Sequence, residues 1–522
     1  TIIMNKSMKQ LTQFAACAIV ALSVVACSSE DSAQQDNAKQ NTAKGVATFD
    51  GSQPSNDTRA LTRTTATYTL GGDAKVFWSS ADKIFVQDDA NTFHQSNAAN
   101  LYNPSNKAKA IFSLASGSFT LNNREVRYTG ENGTDANTVT IASTQTQTTA
   151  NDFSHLGTSG DCGTATATGS NGNYTFTLNH KASYLCFVPR CMNTDLGPNI
   201  KLTKIKVTAD RPIAGKYDFS TGSLTQKAGE TYSNTVTLNT SDFSLNTTVS
   251  SLSTNGAYMV VAPGTYNFTI TYTIKDPTTN VEGDIVKTVS SYNCQEGKVN
   301  DITAWIDKDI KDYSNEKYYL WDADKDYLNN VSIPSVIITG YLFSNYPKNS
   351  SDNRWYNEGL YGTQASHSCT NTPNANEMCW YADQGDPHWD GKTYWISHGH
   401  LYAGGLWILK GGYIGINPNA APNGQNYLTN NALLLFGFQK VPAQGKPSES
   451  VINHYFYLPA TGDWYEGELE MLGTNGCYWS STAAPNSSVI SGVSLRFNKS
   501  TIYVHDNART IAFNAWDFPR GL

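Results

Sequence analysis

Short runs of alternating apolar and polar residues dominate the chain from residue 46 to about residue 307. Such runs lie at residues 75–85, 174–178, 201–208, 258–261 and 266–274. Clusters of Gly, Asn, Asp, Ser and Thr separate the runs and favour turns, whereas convincing amphipathic helices are scarce. Because strand side chains alternate between two faces, the pattern predicts β-sandwiches. A sandwich of ordinary size covers about half of this length, so we place one domain over 46–195 and a second over 196–310.

The first 45 residues show a different pattern, typical of an export signal. Two lysines precede an apolar run over 14–26, which has the length of a signal-peptide core and is too short to span a bilayer comfortably. Small residues then lead to Cys27, as in a bacterial lipobox; the alternative is an ordinary secretory signal with an incidental cysteine. We expect a signal peptide over 1–26 and an acylated Cys27 that anchors the protein in outer-membrane lipid. The polar residues 27–45 would form a flexible tether.

The composition indicates an extracellular protein and argues against a nucleic-acid partner. Charged residues make up only 16% of the chain and aromatic residues 11%, a balance typical of extracellular β-proteins. The net charge is −7 (37 − 44), and the chain has no basic stripe of the kind that nucleic-acid binders use. Glu30 and Asp31, which follow the lipobox, resemble the surface-export signal of Bacteroidetes lipoproteins. We therefore expect a surface-exposed protein of the cell outer membrane.

Cysteine spacing agrees with export but identifies no site. Seven of the nine cysteines lie beyond the signal region, at positions 162, 186, 191, 294, 369, 379 and 477. They form no CxxC pair and no Cys/His metal pattern, and an odd number leaves at least one free thiol. A bridge between Cys369 and Cys379 would close one loop, but the sequence does not decide whether it forms.

Five short motifs in the two predicted sandwiches carry a family resemblance. They are WSSADKIFV at 78–86, HKASYL at 180–185, IKV at 205–207, PIAG at 212–215 and EGKV at 296–299. Together, behind a lipobox, they resemble the fimbrillin-like pilus subunits of Bacteroidales. Each motif by itself is also ordinary strand and turn chemistry, and Trp78 and Ile84 would be core residues in either case. The resemblance implies two transthyretin-like β-sandwich domains.

The resemblance also implies a mechanism of assembly. In these pilins an arginine-specific protease removes the lipidated N-terminal segment, and the lost strand leaves an apolar groove that a strand of another subunit fills. Arg59 is the first arginine of this chain, and Arg63 follows four residues later in the same polar segment. Exposed polar turns are where proteolysis concentrates, so we expect cleavage at Arg59 or Arg63, with Arg59 preferred. The alternative is two solvated arginines on a permanently anchored lipoprotein.

Tryptophan marks a third region, because nine of the eleven tryptophans lie beyond residue 318. This shift places a domain boundary between 308 and 318, and we assign 311–522 to one domain. Its motifs are YLWDA at 319–323, ANEMCWY at 375–381, GDPHWD at 385–390, GHLYAGGLW at 399–407, YLPATG at 457–462 and GCYWSST at 476–482. In this order they resemble the C-type-lectin-like domain of Bacteroidales tip fimbrillins, in its formylglycine-enzyme-like branch. The resemblance implies an α+β domain that binds a ligand, although the usual final strand of that branch is present only in altered form.

Three residue groups in this region have some features of metal sites. Asp322, Asp324 and Asp326 have the D-x-D spacing of a calcium loop, but Tyr327 and Ile333 stand where such a loop needs Gly and Glu, so a turn with solvated acids is preferred. The histidines at 388, 398 and 400 are close in sequence, yet histidines among Gly and Trp are more often structural. The sugar-binding tripeptides of calcium-dependent lectins lack their Glu here. We therefore expect no metal and no cofactor.

We also expect no enzymatic activity. A formylglycine-generating enzyme needs a reactive cysteine pair, whereas Cys477 lies in a strand motif beside Tyr478 and Trp479, where a buried structural thiol is the better interpretation. No Ser-His-Asp arrangement, pair of catalytic carboxylates or phosphate loop stands out in the sequence.

The tail of the chain provides candidate ligand-binding residues. In residues 502–505, Ile502 and Val504 take the inward face of a strand, so Tyr503 and His505 must point outward. The predicted ligand-binding residues are Tyr503, His505, Asn507, Arg509, Asn514 and Trp516. Aromatic rings and amide or guanidinium donors of this kind bind sugars and form protein hot spots. The alternative is that Trp516 is a core residue and the polar residues solvate a sheet edge.

These inferences together predict a mainly β pilus (fimbrial) tip adhesin. Two fimbrillin domains would accept a donor strand from another fimbrillin subunit, and the lectin-like domain would bind a glycan or protein on a host or bacterial surface. A whole domain follows the second sandwich, so we expect no free donor strand and a terminating subunit. The alternative is a surface lipoprotein that captures glycan or protein ligands without joining a pilus.

Overall fold

The structure is a computed structural model that describes residues 46–53, 68–71, 76–103, 106–360, 363–429, 438–484 and 490–522. Strands dominate this part of the chain, and its helices are few and short, so the prediction of a mainly β fold is confirmed. No helix within the described ranges has the length and apolar character needed to cross a membrane.

Twenty strands form before residue 307, and two short helices accompany them. The strands are β1 (Ala47–Ser52), β2 (Phe85–Gln87), β3 (Phe93–Gln95), β4 (Asn100–Asn103), β5 (Asn106–Leu114), β6 (Asn123–Tyr128), β7 (Thr138–Ile141), β8 (Thr144–Gln147), β9 (Gly163–Ser170), β10 (Asn173–Thr177), β11 (Asn179–His180), β12 (Ser183–Arg190), β13 (Lys201–Ala209), β14 (Ala214–Asp218), β15 (Tyr232–Ser233), β16 (Thr235–Ser244), β17 (Ala257–Val261), β18 (Gly264–Asp276), β19 (Val281–Cys294) and β20 (Val299–Trp305). The helices are α1 (Leu156–Ser159) and α2 (Leu252–Asn255).

Thirteen strands and two helices form in the remaining described residues. The strands are β21 (Lys311–Asp312), β22 (Tyr318–Tyr319), β23 (His388–Ser397), β24 (His400–Leu409), β25 (Phe438–Lys440), β26 (Ala443–Gln444), β27 (Tyr455–Pro459), β28 (Asp463–Tyr465), β29 (Glu468–Glu470), β30 (Gly476–Ala483), β31 (Ser491–Phe497), β32 (Ile502–Ala508) and β33 (Ile511–Asn514). The helices are α3 (Ala375–Gln384) and α4 (Gly411–Ile414).

The first hydrophobic core belongs to a nine-stranded sheet with the order β3-β2-β6-β9-β10-β1-β5-β4, in which β11 also pairs with β9. Side chains from residues 47 to 178 fill this core. Trp78 and Ile84 are fully buried in it, although residues 76–84 form turns and irregular backbone rather than the strand that their alternation predicted. The first core therefore relies on loop residues as well as on strands.

The second core lies between three sheets, with the orders β19-β18-β13-β16-β8, β17-β12-β20 and β15-β14-β7. Three of these strands, β7, β8 and β12, precede residue 195 in sequence. The predicted boundary at 195 therefore does not separate the two cores, because strands from the first 195 residues pair with strands of the second sandwich. Ile396 and Leu401, far along the chain, also pack into the second core.

The third core lies between two further sheets, with the orders β21-β23-β24-β27, to which β26 is added, and β25-β32-β31-β30-β33-β28-β29, to which β22 is added. Helix α3 packs against β25, β31 and β32. It begins with a capping box, in which Asn374 Oδ1 accepts from the Glu377 amide at 3.0 Å and Glu377 Oε2 accepts from the Asn374 amide at 2.7 Å. This part of the chain thus combines strands with one well-formed helix.

Candidate functional site: the slot of the N-terminal strand

Strand β1 is enclosed on both sides within the first sheet. It pairs in parallel with β10, where Thr48 is opposite Asn173, and antiparallel with β5, where Phe49 is opposite Phe112. The ladder extends past the strand at both ends, because the Val46 amide donates to Leu114 O at 2.8 Å and the Gln53 amide donates to Ala108 O at 2.9 Å. We call the space between β5 and β10 that β1 occupies the β1 slot.

The side chains of β1 alternate between the core and the outer face of the sheet. Ala47, Phe49 and Gly51 are buried, while Thr48, Asp50 and Ser52 are half-buried. Phe49 is completely buried, stacks on Tyr174 with a centroid distance of 4.7 Å, and meets the edge of Phe119 at 5.6 Å. One face of the strand thus holds it in the sandwich, while the other carries only polar contacts.

Gly51 sits where the core leaves no room for a side chain. A Cβ atom at this position would lie 2.5 Å from Phe176 Cζ and 3.1 Å from the Phe112 ring. The Gly51 carbonyl accepts a hydrogen bond from Trp78 Nε1 at 3.1 Å. Three aromatic side chains of the slot therefore close directly over the backbone of β1.

Gln53, just beyond the end of β1, contacts a buried polar chain. Its Oε1 lies 2.9 Å from His180 Nε2, and His180 Nδ1 lies 2.8 Å from Asp161 Oδ1. Tyr184, on β12, donates its hydroxyl to the same carboxyl oxygen. Burial, followed by the charge of Asp161, raises the pKa of Tyr184, so this phenol stays protonated and donates. A side-chain amide both donates and accepts, so Gln53 can pair with the imidazole in either protonation state.

The chain leaves the slot toward the predicted cleavage sites. Arg59 and Arg63 lie outside the described residues, as does the predicted lipidation site Cys27. The next residue that the structure describes is Tyr68, which packs in the second core and donates its hydroxyl to Asp301 Oδ1 at 2.6 Å. No further arginine occurs before Arg124, so these two are the only arginines between β1 and the rest of the first sheet.

The predicted ligand-binding residues of the tail fall into two separated groups. The alternation predicted for β32 is confirmed, since Ile502 and Val504 are fully buried and Tyr503 and His505 are half-buried on the opposite face. Asn507 belongs to the same strand and donates its amide to Ser494 Oγ at 2.8 Å. Strands β31 and β30 separate β32 from β33, so the two ends of the predicted set are about 14 Å apart.

Two of the predicted ligand-binding residues, Arg509 and Asn514, lie inside the protein rather than on its surface. Arg509 is 3% exposed, lies over the ring of Trp321 at 4.2 Å, and donates to three backbone carbonyls, those of Ser491, Asn357 and Gly359. Asn514 is completely buried and donates to Lys317 O at 3.1 Å. Both side chains form tertiary contacts inside the protein, and strand alternation cannot reveal such contacts.

Trp516 follows the alternative interpretation, in which it packs on the core. Its ring lies against Tyr313 at 6.0 Å and Tyr478 at 5.3 Å, and Nε1 donates to Glu316 Oε2 at 2.9 Å. The side chain is only partly buried. Its main contacts are therefore internal.

The aspartates at 322–326 do not assemble a calcium loop. Asp322 is completely buried, and its two oxygens accept from the amides of Ser366, His367 and Cys369 and from the side chain of Asn357. The preferred prediction of solvated acids is therefore wrong for Asp322, which instead fixes the 366–369 loop. The sequence carries no signal for this role, because the partners lie 35 to 47 residues away.

The three histidines at 388, 398 and 400 have separate partners. His400 Nδ1 lies 2.9 Å from Asp276 Oδ2, His398 Nδ1 lies 2.8 Å from Ser397 Oγ, and His388 Nδ1 lies 3.2 Å from Gly445 O. Across the ranges that the structure describes, no group of three or more His, Cys, Asp or Glu side chains could hold a metal ion.

The seven cysteines of the described chain are free and buried, and this includes Cys369 and Cys379. Cys477 Sγ donates to Asp463 Oδ2 at 3.4 Å, and Arg496 lies 3.6 Å from the same oxygen. Burial raises the pKa of Cys477 well above its ordinary value, which disfavours the nucleophilic thiolate. This thiol has the surroundings of a structural residue.

Comparison with known proteins gives likeness of structure only. No protein-family model and no curated protein matches the chain. A Bacteroides ovatus protein assigned to cell adhesion is 14% identical over 50% of this chain and 93% of its own, with a TM-score of 0.31. A Bacteroides uniformis protein with the same assignment is 16% identical over 50% of this chain and 95% of its own, with a TM-score of 0.30. A fimbrial protein of Bacteroides ovatus is 11% identical over 90% of this chain and 98% of its own, with a TM-score of 0.23. These TM-scores are too low to support an argument about function.

Proposed function

We propose that this chain is a surface-exposed adhesin subunit that joins a pilus at its tip after proteolytic removal of its lipidated N-terminus. The observation that best supports this proposal is the position of β1, a strand enclosed by β5 and β10 and encoded ahead of Arg59 and Arg63. A cut after either arginine severs the chain between β1 and the sheet that surrounds it. The strand is then held by non-covalent contacts alone.

Withdrawal of β1 would expose a specific surface. The facing edges of β5 and β10 would lose their backbone partners. Tyr174 would lose the stacked ring of Phe49, and Phe112 and Phe176 would lose the Gly51 backbone that they close over. Unpaired strand edges bind other strands, and an apolar groove between two such edges binds one strand on both sides. The slot therefore has the properties of an acceptor for a strand of another subunit.

The C-terminal third would carry the ligand-binding function. Tyr503 and His505 occupy the outer face of β32, and in this proposal they bind a glycan or a protein on a host or bacterial surface. Strand β20 pairs with β12, and the chain then continues into the third core, so β20 would not be free to insert into another subunit. A subunit that accepts a strand and donates none ends a fibre. The proposal assigns no catalytic step and no cofactor to the chain, and its other partner is the outer-membrane lipid that holds Cys27 before cleavage.

The test is a double variant, Arg59→Ala with Arg63→Ala, expressed in a cell that assembles the pilus. We expect a protein that stays lipidated and accumulates unassembled, whereas wild-type protein shed from the surface begins at Ala60 or Thr64. Arg211→Ala is a matched control, because this arginine is 60% exposed but lies far from the slot, in the second sandwich. Normal incorporation of the double variant into fibres would refute the processing step. An acylated Cys27 on all of the wild-type protein would instead favour the surface lipoprotein that joins no pilus.

A further inference from the structure

The core-facing positions of the β1 slot differ in what they accept. Position 49 lies among aromatic rings, position 51 has no space for a side chain, and position 53 meets a polar group. We infer that the slot selects an incoming strand with the pattern aromatic–x–Gly–x–amide, in the register of Phe49, Gly51 and Gln53. This inference rests on the proposed function, since it specifies the partner strand that the slot takes.

The aromatic preference comes from position 49. The ring of Phe49 is sandwiched between the face of Tyr174 and the edge of Phe119, and it is completely buried. Stacked and edge-to-face ring pairs add to the free energy of burial. A small aliphatic residue at this position would leave a cavity between the two rings, which is costly in a close-packed core.

The glycine requirement at position 51 is steric. The obstructing atoms are the end of the Phe176 ring, at 2.5 Å and 2.9 Å, and the edge of the Phe112 ring, at 3.1 Å. Phe112 and Phe176 are themselves fixed by Trp78, whose ring lies 4.9 Å from Phe112 and 6.2 Å from Phe176. Because three packed rings must move together, even one added methyl group is strongly disfavoured.

The amide preference at position 53 comes from the buried polar chain behind it. His180 is 6% exposed at its side chain and has two ring nitrogens to satisfy, one by Asp161 and the other by Gln53. An apolar residue at this position would leave Nε2 without a partner in a buried site, which costs free energy. Asn or Gln supplies the missing partner.

Register and selectivity are linked by strand geometry. A shift of one residue would turn the aromatic, Gly and amide positions to the outer face. On that face Thr48 and Asp50 are only half-buried, so side chains there are less confined than those on the core face. The partner is thus a strand of another subunit, and the slot selects it by the three alternate residues that face the core.

The first arm of the test uses the intact full-length chain, so it does not depend on cleavage or assembly. Gly51→Ala and Gly51→Val are compared with Ser52→Val, which adds bulk at the neighbouring outward position. We expect thermal unfolding of the first sandwich at lower temperature for both Gly51 variants, with Val worse than Ala, and little change for Ser52→Val. Equal unfolding of Gly51→Val and wild type would overturn the inferred pattern, whatever the role of the slot.

The second arm starts from full-length protein that has been cleaved at Arg59 or Arg63, with the cut confirmed by N-terminal sequencing. Labelled peptides with the sequence of residues 44–54 are then added to it. We expect the native peptide to exchange with β1, measured by fluorescence anisotropy. The peptide with Gly51→Val should bind about 10- to 100-fold more weakly and the peptide with Phe49→Ala at least about 100-fold more weakly. The peptide with Gln53→Leu should lose about 10-fold, and Ser52→Val should bind like the native peptide.

The two arms separate the failure of the pattern from the failure of the function. Equal binding of all peptides would refute the selectivity but keep the acceptor role of the slot. No exchange by any peptide, the native one included, would refute strand exchange, while the first arm still decides whether position 51 requires glycine. Because the peptides need not fold alone, a poorly folding Gly51→Val chain does not block the second arm.

Discussion

Asp276 and His400 form a buried hydrogen-bonded pair, with 2.9 Å between Asp276 Oδ2 and His400 Nδ1, where strand β18 of the second sandwich meets strand β24. The same oxygen accepts from the Leu401 amide at 3.0 Å, and the other accepts from the Thr278 amide at 2.9 Å. Thr279 Oγ1 donates to Leu401 O at 2.7 Å. The turn after β18 is thereby attached to the C-terminal third through both backbone and side chains.

We expect His400→Ala to lower the free energy of unfolding by about 2 kcal/mol, because it removes one hydrogen-bond partner of the buried Asp276 carboxylate. Although burial alone raises the pKa of Asp276, the hydrogen bonds from His400 and Leu401 outweigh it and hold the pKa below its ordinary value. Lys287→Ala is the control, because its partner Asp309 is 75% exposed, and it should cost less than about 1 kcal/mol. Urea unfolding of both variants measures the difference. Equal losses would mean that the buried pair contributes no more than a surface pair.

Stability should also depend on pH through Asp463. Burial raises the pKa of Asp463 to about 6, even though Arg496 lies 3.6 Å away and Cys477 donates to the carboxylate. The folded protein therefore favours the protonated acid, so this contribution is fully present below the ordinary pKa of 3.8 and is lost as the pH rises through about 6. We expect it to amount to about 2 kcal/mol between pH 4 and pH 7.

The measurement compares wild type with Asp463→Asn by urea unfolding from pH 4 to pH 7. The amide does not titrate. As the pH rises, the free energy of unfolding of wild type should therefore fall relative to that of the variant. A difference that stays constant over this range would show that Asp463 does not titrate between these values.

Arg509→Ala should destabilise the protein rather than remove a ligand contact. The substitution leaves the carbonyls of Asn357 and Gly359 without the Arg509 donor, and it removes the cation that lies over Trp321. The Ser491 carbonyl also loses its bond from Arg509 but keeps the one from the Ala484 amide. Because unsatisfied buried carbonyls are costly, we expect a loss of about 3 kcal/mol or more in the free energy of unfolding. Thermal unfolding with tryptophan fluorescence checks this outcome. An unchanged midpoint would contradict the structural role of Arg509.

Tyr503→Ala should weaken ligand binding without destabilising the protein. The side chain lies on the outer face of β32, whose inward residues Ile502 and Val504 hold the strand in the core. We expect ligand binding to weaken by about 2 kcal/mol, as for an aromatic hot spot, with a nearly unchanged unfolding temperature. A glycan and protein array probed with the full-length protein and this variant measures it. Undiminished binding by a variant with both Tyr503→Ala and His505→Ala would show that the ligand binds elsewhere.

Local alternation was a sound guide to strands but not to burial of the polar residues. Four of the predicted runs, at 174–178, 201–208, 258–261 and 266–274, coincide with β10, β13, β17 and β18. The fifth run is mostly not a strand over its described residues, 76–85, because Trp78 and Ile84 reach the first core from turns and irregular backbone, while Phe77 packs in the second core. Alternation indicates which side chains are apolar enough to be buried. Whether the backbone forms a strand depends on hydrogen bonds to adjacent strands.

The sequence by itself determined that this protein is mainly β, where β10, β13, β17 and β18 lie, and which side of β32 faces the core, because each of these follows from a local period of two. Only the tertiary structure decided that β1 is enclosed between β5 and β10, whose paired residues are about 60 and 125 positions away. It alone revealed the rings that close over Gly51 and the carbonyls that bind Arg509. These features depend on contacts between residues far apart in the chain, and a single sequence holds no local signal for such contacts.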